Sequence, residues 1–514
     1  MTEIDPKLTF NASSVMSDSI AGHSEQKRET VHLSERANQV ASQFTANAIS
    51  PIVIAGIIRV IEFSMIFLIG IGVYLWYVYP LDGFKLIYPL TVLSGAILSM
   101  VFFQAADAYQ LSSLRTNITQ IGRVFAAWTM VFAFFALIAF FARISTDYSR
   151  VWFGSWYTGG LIFFIIFRSI VATFLRKWSK DGRLERRAVI VGGGKNAENL
   201  ILSLEHQGDN DIRICGIFDD RKDDRSPPMV AGYPRLGTIA ELVEFGRRAR
   251  IDMLIVSLPI SAESRVLAML KKVWVLPVDI RLSAHTNKLR FRPRSYSYEG
   301  AVPFLDVFDK PIADWDSVMK RAFDIIFSTI ALVLLSPVML ATAIAIRLES
   351  KGPIIFRQKR FGFNNEVIEV LKFRSMFHDM SDADAKVVVT KNDPRVTRVG
   401  RFIRKTSIDE LPQLINVLRS ELSLVGPRPH AVNAHTKNQL WDEVVDGYFG
   451  RHKVKPGVTG WAQIKGWRGE VDNEEKIRRR VEHDLYYIEN WSILLDLYIV
   501  MVTPFKLLNS ENAY

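Results

Sequence analysis

Asp409 and Glu410 stand side by side in the stretch SIDELPQL, just downstream of Arg404 and Lys405. Two adjacent carboxylates beside cations can cap a helix, or they can attack a phosphorylated substrate. Ser407-x-x-Glu410 has the spacing of a capping box, and acids in a first turn offset the helix dipole. Pro412 bears on the register. With Ser407 as N-cap, the proline falls where its missing N–H is needed; with Asp409 as N-cap, it falls where that N–H is free anyway. A helix beginning at or next to Asp409 is therefore favoured. Its carboxylate would be ionised at neutral pH and would need no general base to act as a nucleophile. Capping and catalysis remain open alternatives on these residues alone.

Three basic clusters accompany the acidic pair. PIIFRQKRFGFNNEVIEVLKFRSM alternates like two paired strands, with a turn from Phe361-Gly362 to Asn364-Asn365, and carries Lys359, Arg360, Lys372 and Arg374. VGPRPH sets Arg428 between Pro427 and Pro429 in a rigid loop. RHKVKPGVTGWAQIKG combines Arg451, Lys453 and Lys455 with turns at Pro456-Gly457 and Gly460. Loops that expose backbone N–H groups beside cations hold phosphates, and arginine grips phosphate oxygens bidentately. A single arginine is ordinarily a solvated surface charge; three clusters around one acidic pair point to phosphate chemistry. Leu411, Leu414, Ile415 and Leu418 recur at helical spacing and form one buried face. No H-E-x-x-H, Walker A or G-x-S-x-G motif is present.

The elements that must carry these residues are set in a partly membranous chain. Of 514 residues, 49% are hydrophobic, which is high for a soluble protein. The net charge of +11 suits cytoplasmic loops facing anionic lipid or a site for phosphorylated substrates. Nucleic acid is not an expected partner, because no basic stretch is interleaved with aromatics. The single cysteine, Cys215, excludes intrachain disulfides and thiolate-rich metal sites. Residues 1–50 are polar, show no signal peptide, and read as a disordered tail. Four apolar runs follow, at 52–78, 86–106, 121–141 and 151–167, making a membrane region over 51–178. Trp76, Tyr77, Tyr79, Trp152 and Trp156 sit near run ends, as interfacial aromatics do. Arg168 and the basic residues from Arg176 to Arg187 place that end in the cytoplasm, and an even number of spans puts the N-terminus there too.

RRAVIVGGGKNAENLILSL reads as strand, glycine turn and helix, with Gly192 and Gly194 in a G-x-G-x-x-A pattern. The next strand ends at Asp219. Strand–helix alternation predicts a Rossmann-like α/β domain over 186–290 with a parallel sheet. Gly192, Gly194 and Asp219 are candidates to hold a nucleotide; a degenerate domain that binds nothing is the alternative. Residues 291–318 read as a surface linker. A fifth apolar run, over 322–347, is broken by Ser336-Pro337 and flanked at both ends by basic residues. Either it enters and leaves by the same membrane face, with the serine hydroxyl satisfying a freed carbonyl, or it is a proline-kinked full span. The fold class is thus membrane α plus α/β: four membrane helices, a Rossmann-like domain, and an α+β domain over 319–514 with a re-entrant helix.

KRAFDIIFS, GPIIFRQKRFG, KFRSM, SIDELPQLINVL, VGPRP and VKPGVTGWAQIKG occur in order. This block resembles the polyprenyl-phosphate hexose-1-phosphate transferases, the monotopic phosphoglycosyl transferases, and the upstream region is similar to the large exopolysaccharide-initiating members. The resemblance implies a bacterial inner-membrane enzyme with its catalytic domain in the cytoplasm. Asp409 would attack the β-phosphate of a UDP-sugar, release UMP, and pass the sugar phosphate to undecaprenyl phosphate. It implies Mg²⁺ held by Asp409 and Glu410, Arg404 as a phosphate-binding arginine, and Arg428 in a motif associated with the nucleotide sugar. The re-entrant break at Ser336 and Pro337 is also a family feature. Glucose is favoured over galactose by the C-terminal pattern GWRGEVDNEEKIRRRVEHDLYYIENWSILLDLYIV. A second copy of the chain and membrane lipid are further candidate partners. A nucleotide-sugar dehydratase or epimerase built on the glycine turn is the rival enzyme class, but no Tyr-x-x-x-Lys spacing occurs. A non-enzymatic export scaffold is a second rival, and it would need neither Asp409-Glu410 nor the arginine clusters.

Overall fold

The computed structural model describes residues 33–43, 50–109, 114, 117–180, 184–206, 212–221, 226–258, 263–283, 297–299, 302–380, 393–430, 435–436, 439–440, 448–467, 469 and 474–508. The chain divides into two compact units, one of Ala46–Glu185 and one of Met1–Thr45 with Arg186–Tyr514.

In the second unit a helix α1 (Glu35–Gln43) forms where the sequence suggests a disordered tail. Leu33, Ala37 and Ala41 are buried in the α/β core, and Ser34 Oγ donates to Leu236 O at 2.9 Å. Three small or apolar residues at helical spacing are enough to seat so short a helix, too weak a signal to stand out from a polar stretch.

The first unit is a helical bundle of α2 (Pro51–Val73), α3 (Ile87–Ala105), α4 (Asn117–Phe141) and α5 (Arg150–Lys180). α2 continues through a π turn, Tyr74–Val78, to Asp82. Five helices of the described chain are long and apolar enough to cross a membrane: these four and Asp314–Glu349. Trp152 and Trp156 are fully buried rather than interfacial. Their indole N–H groups donate to Gly70 O (3.0 Å) and Ile66 O (3.1 Å), so each ring is held against the α2 backbone. Gly70 and Gly95 make that approach possible, because a Cβ on either would meet Trp156 within 2.8 Å. Trp76 and Tyr79 are exposed, as interfacial side chains are. α5 runs well past the fourth apolar stretch and carries Arg168 into the bundle, where Nε and Nη2 donate to Glu62 at 2.6 and 2.9 Å and Nη1 to Ala108 O at 2.8 Å. Tyr109 Oη adds a third donor to Glu62 at 2.8 Å.

The second unit begins with an eight-stranded sheet. β1 (Arg186–Val191), β2 (Ile212–Phe218), β4 (Tyr233–Gly237), β5 (Met253–Val256) and β6 (Asp279–Ser283) are parallel, in the spatial order β4-β2-β1-β5-β6. β3 (Met229–Val230) pairs antiparallel at one edge. At the other edge, β8 (Val302–Phe308) pairs antiparallel onto β6, and β7 (Ser297–Glu299) antiparallel onto β8. These two strands lie where the sequence suggests a linker. Val302, Phe304 and Phe308 are buried and Asp306 is not, the half-buried alternation of an edge strand. Helices α6 (Lys195–Glu205), α7 (Ile239–Arg248) and α8 (Glu263–Val273) cover the sheet.

α9 (Asp314–Glu349) is the fifth apolar helix, with Pro337 inside it. Ser336 Oγ donates at 2.8 Å to Val333 O, the carbonyl that Pro337 leaves without its helical N–H. Both ends of α9 are fastened to the same polar domain. At the first, Lys320 Nζ bonds Asp496 Oδ2 (2.7 Å) and Val425 O (2.9 Å), and Arg321 bonds the carbonyls of Val417 and Leu418. At the other, Glu349 accepts from the backbone of Arg398 (2.7 Å) and Val399 (3.0 Å).

The Glu62–Arg168 pair generates a prediction. Glu62→Ala leaves an unpaired guanidinium inside an apolar bundle and should lower stability by about 3–5 kcal/mol, seen as earlier thermal unfolding in detergent. Replacing both residues by methionine should recover most of that loss. A double variant no better than the single one would refute the pairing account.

Candidate active site

The hairpin of β9 (Ile355–Phe361) and β10 (Val367–Phe373) forms as its alternation predicts, with Asn364 and Asn365 in the left-handed region at the turn. Its register pairs Ile368 with Arg360 and Phe356 with Lys372. Because directly paired residues share a face, Arg360 and Lys372 project to the same side. That side meets the acidic pair.

The acidic segment differs from its sequence reading. α10 (Arg398–Thr406) ends at Ser407, which is left-handed at φ 60 and forms no capping box. A 3-10 turn, Ile408–Glu410, follows, and α11 (Gln413–Leu418) starts only after Pro412, its N-cap. Asp409 is therefore one tight turn ahead of the helix rather than its cap. Non-glycine αL backbone costs roughly 1–2 kcal/mol, and at Ser407 it reverses the chain between two helices so that the acids face the hairpin. α11 is buried nearly all round, including Gln413 and Asn416. Asn416 acts as a strand partner: its Oδ1 accepts from Leu371 N (2.9 Å) and its Nδ2 donates to Glu369 O (2.8 Å), locking the acidic segment to β10.

The two carboxylates receive opposite environments. Glu410 accepts from Lys372 Nζ at 2.8 Å and from Arg428 Nη2 at 2.6 Å. Burial alone would raise it, but Arg428 and Lys372 outweigh burial and hold it well below the usual carboxylate range. Asp409 is 8% exposed. No described residue donates a hydrogen bond to its side chain. Burial, then the Glu410 charge, pushes it up to about 6, against Lys372, Arg404 and Arg428. It is still ionised at pH 7, but through the charges of Lys372, Arg404 and Arg428 rather than a helix dipole. Arg360, which the sequence reading did not place in the site, completes it. Burial, with the neighbouring Arg428 charge, lowers it to about 10; the charges of Glu410 and Asp409 act in the opposite direction. Its guanidinium bonds Pro429 O, so hairpin and PRP loop are tied together. The period-two spacing across the hairpin is the signal that could have found it.

The other expected site residues divide. Arg404, Lys372 and Arg428 gather at the carboxylates. Pro427 and Pro429 shape the loop through their carbonyls, which accept from Gly457 N (2.8 Å) and Arg360. Arg451 is buried behind it: Nη2 donates to Asp484 Oδ2 (2.5 Å) and to Arg428 O (2.8 Å), so it positions the loop rather than facing a substrate. Arg374 lies elsewhere, bonding the carbonyls of Ser350 and Lys351 after α9. Lys455 bonds Ser420 Oγ at 2.5 Å. Ser336 and Pro337 are in α9, away from this cluster in sequence and bonding.

For a divalent ion, no group of three or more His, Cys, Asp or Glu gathers among the described residues. Glu410 is engaged with two cations. Of the pair, Asp409 offers a carboxylate to which no described residue donates, which fits Mg²⁺ only in the mode where one carboxylate and substrate phosphates share the ion.

In the α/β domain, Gly192 and Gly194 have the positive φ of a phosphate-type turn, at 95 and 84. Gly192 N–H donates to Phe218 O at 2.9 Å. Gly193 N–H donates to Asp219 Oδ2 at 2.7 Å, and Arg221 pairs with the same carboxylate at 2.9 Å.

The bacterial sugar transferase family profile matches residues 315–510. A profile described as a CoA-binding domain matches residues 104–284. The chain is 39% identical over 368 residues to the undecaprenyl-phosphate glucose phosphotransferase of Komagataeibacter xylinus, covering 70% of this chain and 66% of that protein. It is 35% identical over 446 residues to the UDP-glucose:undecaprenyl-phosphate glucose-1-phosphate transferase of Escherichia coli (strain K12), covering 86% of this chain and 93% of that one. Over 196 residues it is 45% identical to a UDP-N-acetylgalactosamine-undecaprenyl-phosphate N-acetylgalactosaminephosphotransferase of Aeromonas hydrophila, covering 38% of this chain and 45% of that protein.

The buried Arg451–Asp484 pair yields a stability prediction. Asp484→Ala should cost about 3–5 kcal/mol, the usual penalty for orphaning a buried charge. Arg479→Ala, at an exposed pair on the same helix, should leave the melting temperature unchanged. Equal melting of the two variants would show that the buried pair fixes nothing.

Proposed function

The chain belongs to the bacterial sugar transferases that act on undecaprenyl phosphate, and on that premise we propose that it transfers glucose 1-phosphate from UDP-glucose to that lipid through a phospho-aspartate on Asp409. The observation that carries this reading is the contrast within the acidic pair. Glu410 is bound by two cations, whereas Asp409 is ionised, buried and, among the described residues, without a hydrogen-bond donor. An unshared carboxylate in a low-dielectric, cation-lined pocket is a competent nucleophile.

In the first half-reaction an Asp409 oxygen bonds to the sugar-bearing phosphorus, and the bond from that phosphorus to the bridging oxygen breaks. UMP leaves with the electron pair. In the second half-reaction an oxygen of undecaprenyl phosphate attacks the same phosphorus, and the Asp409 carboxylate departs. Arg404, Arg428, Arg360 and Lys372 surround the acids with positive charge matched to a diphosphate. Bound Mg²⁺ would neutralise diphosphate charge as the bond breaks, with Asp409 the residue able to share it.

The seating of α9 supports a re-entrant path. A polar domain that fastens both Lys320 and Glu349 would hold both helix ends on one side of a bilayer. Ser336-Pro337 stands midway along the apolar run, and no residue from 329 to 341 is buried in the protein. The catalytic domain then faces the cytoplasm of a bacterial inner membrane, where the lipid phosphate and the sugar nucleotide meet.

Glucose is favoured because the relatives similar over most of the chain bear glucose in their names. A shorter stretch of 196 residues also matches an enzyme named for N-acetylgalactosamine. UDP-galactose remains the alternative drawn from the sequence pattern.

UMP release from a panel of UDP-sugars, with undecaprenyl phosphate in membranes, tests reaction and sugar together. UDP-glucose should be the best donor. Asp409→Asn should abolish release while the protein still folds; normal release would sink the mechanism. The pH profile follows from the raised Asp409. Only the ionised form attacks, so the rate should rise with pH through about 6 and level off above it. Arg404→Gln removes a cation that lowers the Asp409 value, so the acidic limb should move to higher pH. A limb that stays put or moves lower would contradict that assignment.

A further inference from the structure

The 3-10 turn Tyr448–Lys453 is packed on two sides. On one side Arg451 reaches Asp484 and the carbonyl of Arg428. On the other the turn rests on the α/β domain. Trp274, just past the end of α8, is 1% exposed. Its indole lies so close to Gly450 that a Cβ there would meet ring carbons at 2.5 and 2.6 Å. Lys453 Nζ lies 5.0 Å from the centre of the Trp274 ring and 5.4 Å from that of Phe308, at the end of β8. Arg247 of α7 covers the Phe449 ring at 4.9 Å. The hairpin that carries Arg360 and Lys372 is held by the same surface: Asn364 Nδ2 donates to Gly246 O at 3.0 Å, and Asn365 bonds His452.

These contacts connect the α/β domain to the carboxylates in three steps. Trp274 fixes the turn at Gly450 and Lys453; Arg451 in that turn holds the Arg428 backbone; and the Arg428 guanidinium holds Glu410 at 2.6 Å. We propose that Trp274 is a positioning residue for sugar-phosphate transfer, acting through the turn 448–453 to hold Arg428 against Glu410. The reaction named here rests on the function proposed above; the line of contacts does not. It gives the α/β domain a role that needs no bound ligand, in keeping with a glycine turn whose donor is engaged by Asp219. Glycine at 450 is explained by the same contact, since any side chain would push the turn off the indole.

Two readouts on the full chain in nanodiscs test this. Hydrogen exchange should accelerate in peptides covering 423–430 and 448–458 in Trp274→Ala, while β1 and β5 keep their protection. UMP release should fall by about 10- to 100-fold in kcat, the scale of a small misplacement of reacting groups. The KM for the sugar nucleotide should stay within about threefold, because ground-state binding is unchanged. Trp274→Phe should recover most of the rate. Gly450→Ala, which leaves Trp274 in place and displaces the turn, should reproduce both effects and covers the case in which Trp274→Ala does not fold. Unchanged exchange at 423–430 in the folded variants would overturn the proposal. So would a rate loss confined to Trp274→Ala and accompanied by lost protection in β1 and β5, which is ordinary core damage. If the unaltered chain releases no UMP, the proposed function fails, and the exchange result still decides the positioning role.

Discussion

Glu410 lies between Lys372 and Arg428, and the rest of the catalytic unit is arranged around keeping it there. Two carboxylates adjacent in sequence and buried together cannot both sit in water-poor surroundings without compensating charge. Here the compensation is assigned to one of them. Glu410 takes the cations directly, and its charge then acts on Asp409, raising it without protonating it at neutral pH. The geometry requires Lys372 from a strand, Arg428 from a loop and both acids from a strained turn to converge within hydrogen-bond reach. Each is fixed by a separate device: strand register for Lys372, the Arg451–Asp484 pair for Arg428, and Asn416 for the acidic turn. The anchoring is heavier than the few contacts at the carboxylates would suggest, because a displaced cation would leave a buried acid uncompensated.

Local chemistry made part of this legible in the sequence. The hairpin and its asparagine turn, the glycine turn after β1 and the apolar helices all carry short-range signals, and the structure shows those elements; Ser336 and Pro337 lie inside an α9 that stays helical from Asp314 to Glu349. The acidic pair and the PRP loop were also recognisable, as residue types whose combination suits phosphate. Less legible was whatever depends on what lies across a contact. Ser407 has the spacing of a capping box, but its backbone is left-handed and the Glu410 side chain turns to Lys372 and Arg428 instead. Arg374 and Arg451 look like Arg428 in sequence, yet one bonds carbonyls near the end of α9 and the other is buried behind the loop. Trp152 and Trp156 sit near the end of an apolar run as interfacial aromatics would, but glycines on neighbouring helices draw them inside. β7 and β8 were hidden because a three-residue edge strand and a half-buried strand with a proline and an aspartate resemble a linker. In each case the partner lies tens of residues away, beyond any local pattern.

The buried charges show one rule applied in two solvents. Arg168 with Glu62 in the helical bundle and Arg451 with Asp484 in the catalytic unit are both fully enclosed pairs. In neither does the Coulomb term alone favour burial over water. Each pair also reaches a backbone carbonyl, Ala108 O in one case and Arg428 O in the other. That extra bond lets the ion pair fix the position of a loop instead of merely sitting in the core. A hydrophobic replacement could match either pair in stability, but it could not hold the carbonyl.

The α/β domain follows from the same reasoning. Its sheet order and glycine turn are those of a phosphate-holding fold, yet Asp219 occupies the N–H that such a turn would offer, and Arg221 neutralises Asp219. The bond from Gly193 to Asp219 braces the glycine turn against the end of β2 and adds to its rigidity. Rigidity is what a buttress needs. Trp274, Phe308 and Arg247 lie after α8, at the end of β8 and near the end of α7, where a regular sheet places side chains with little freedom. All three press on one short turn of the catalytic unit. A 3-10 turn of six residues has too few internal hydrogen bonds to hold Arg451 by itself. Packed against a sheet domain, it can. The position of Arg428, and with it the division of charge between Glu410 and Asp409, then depends on a domain that need not touch the substrate.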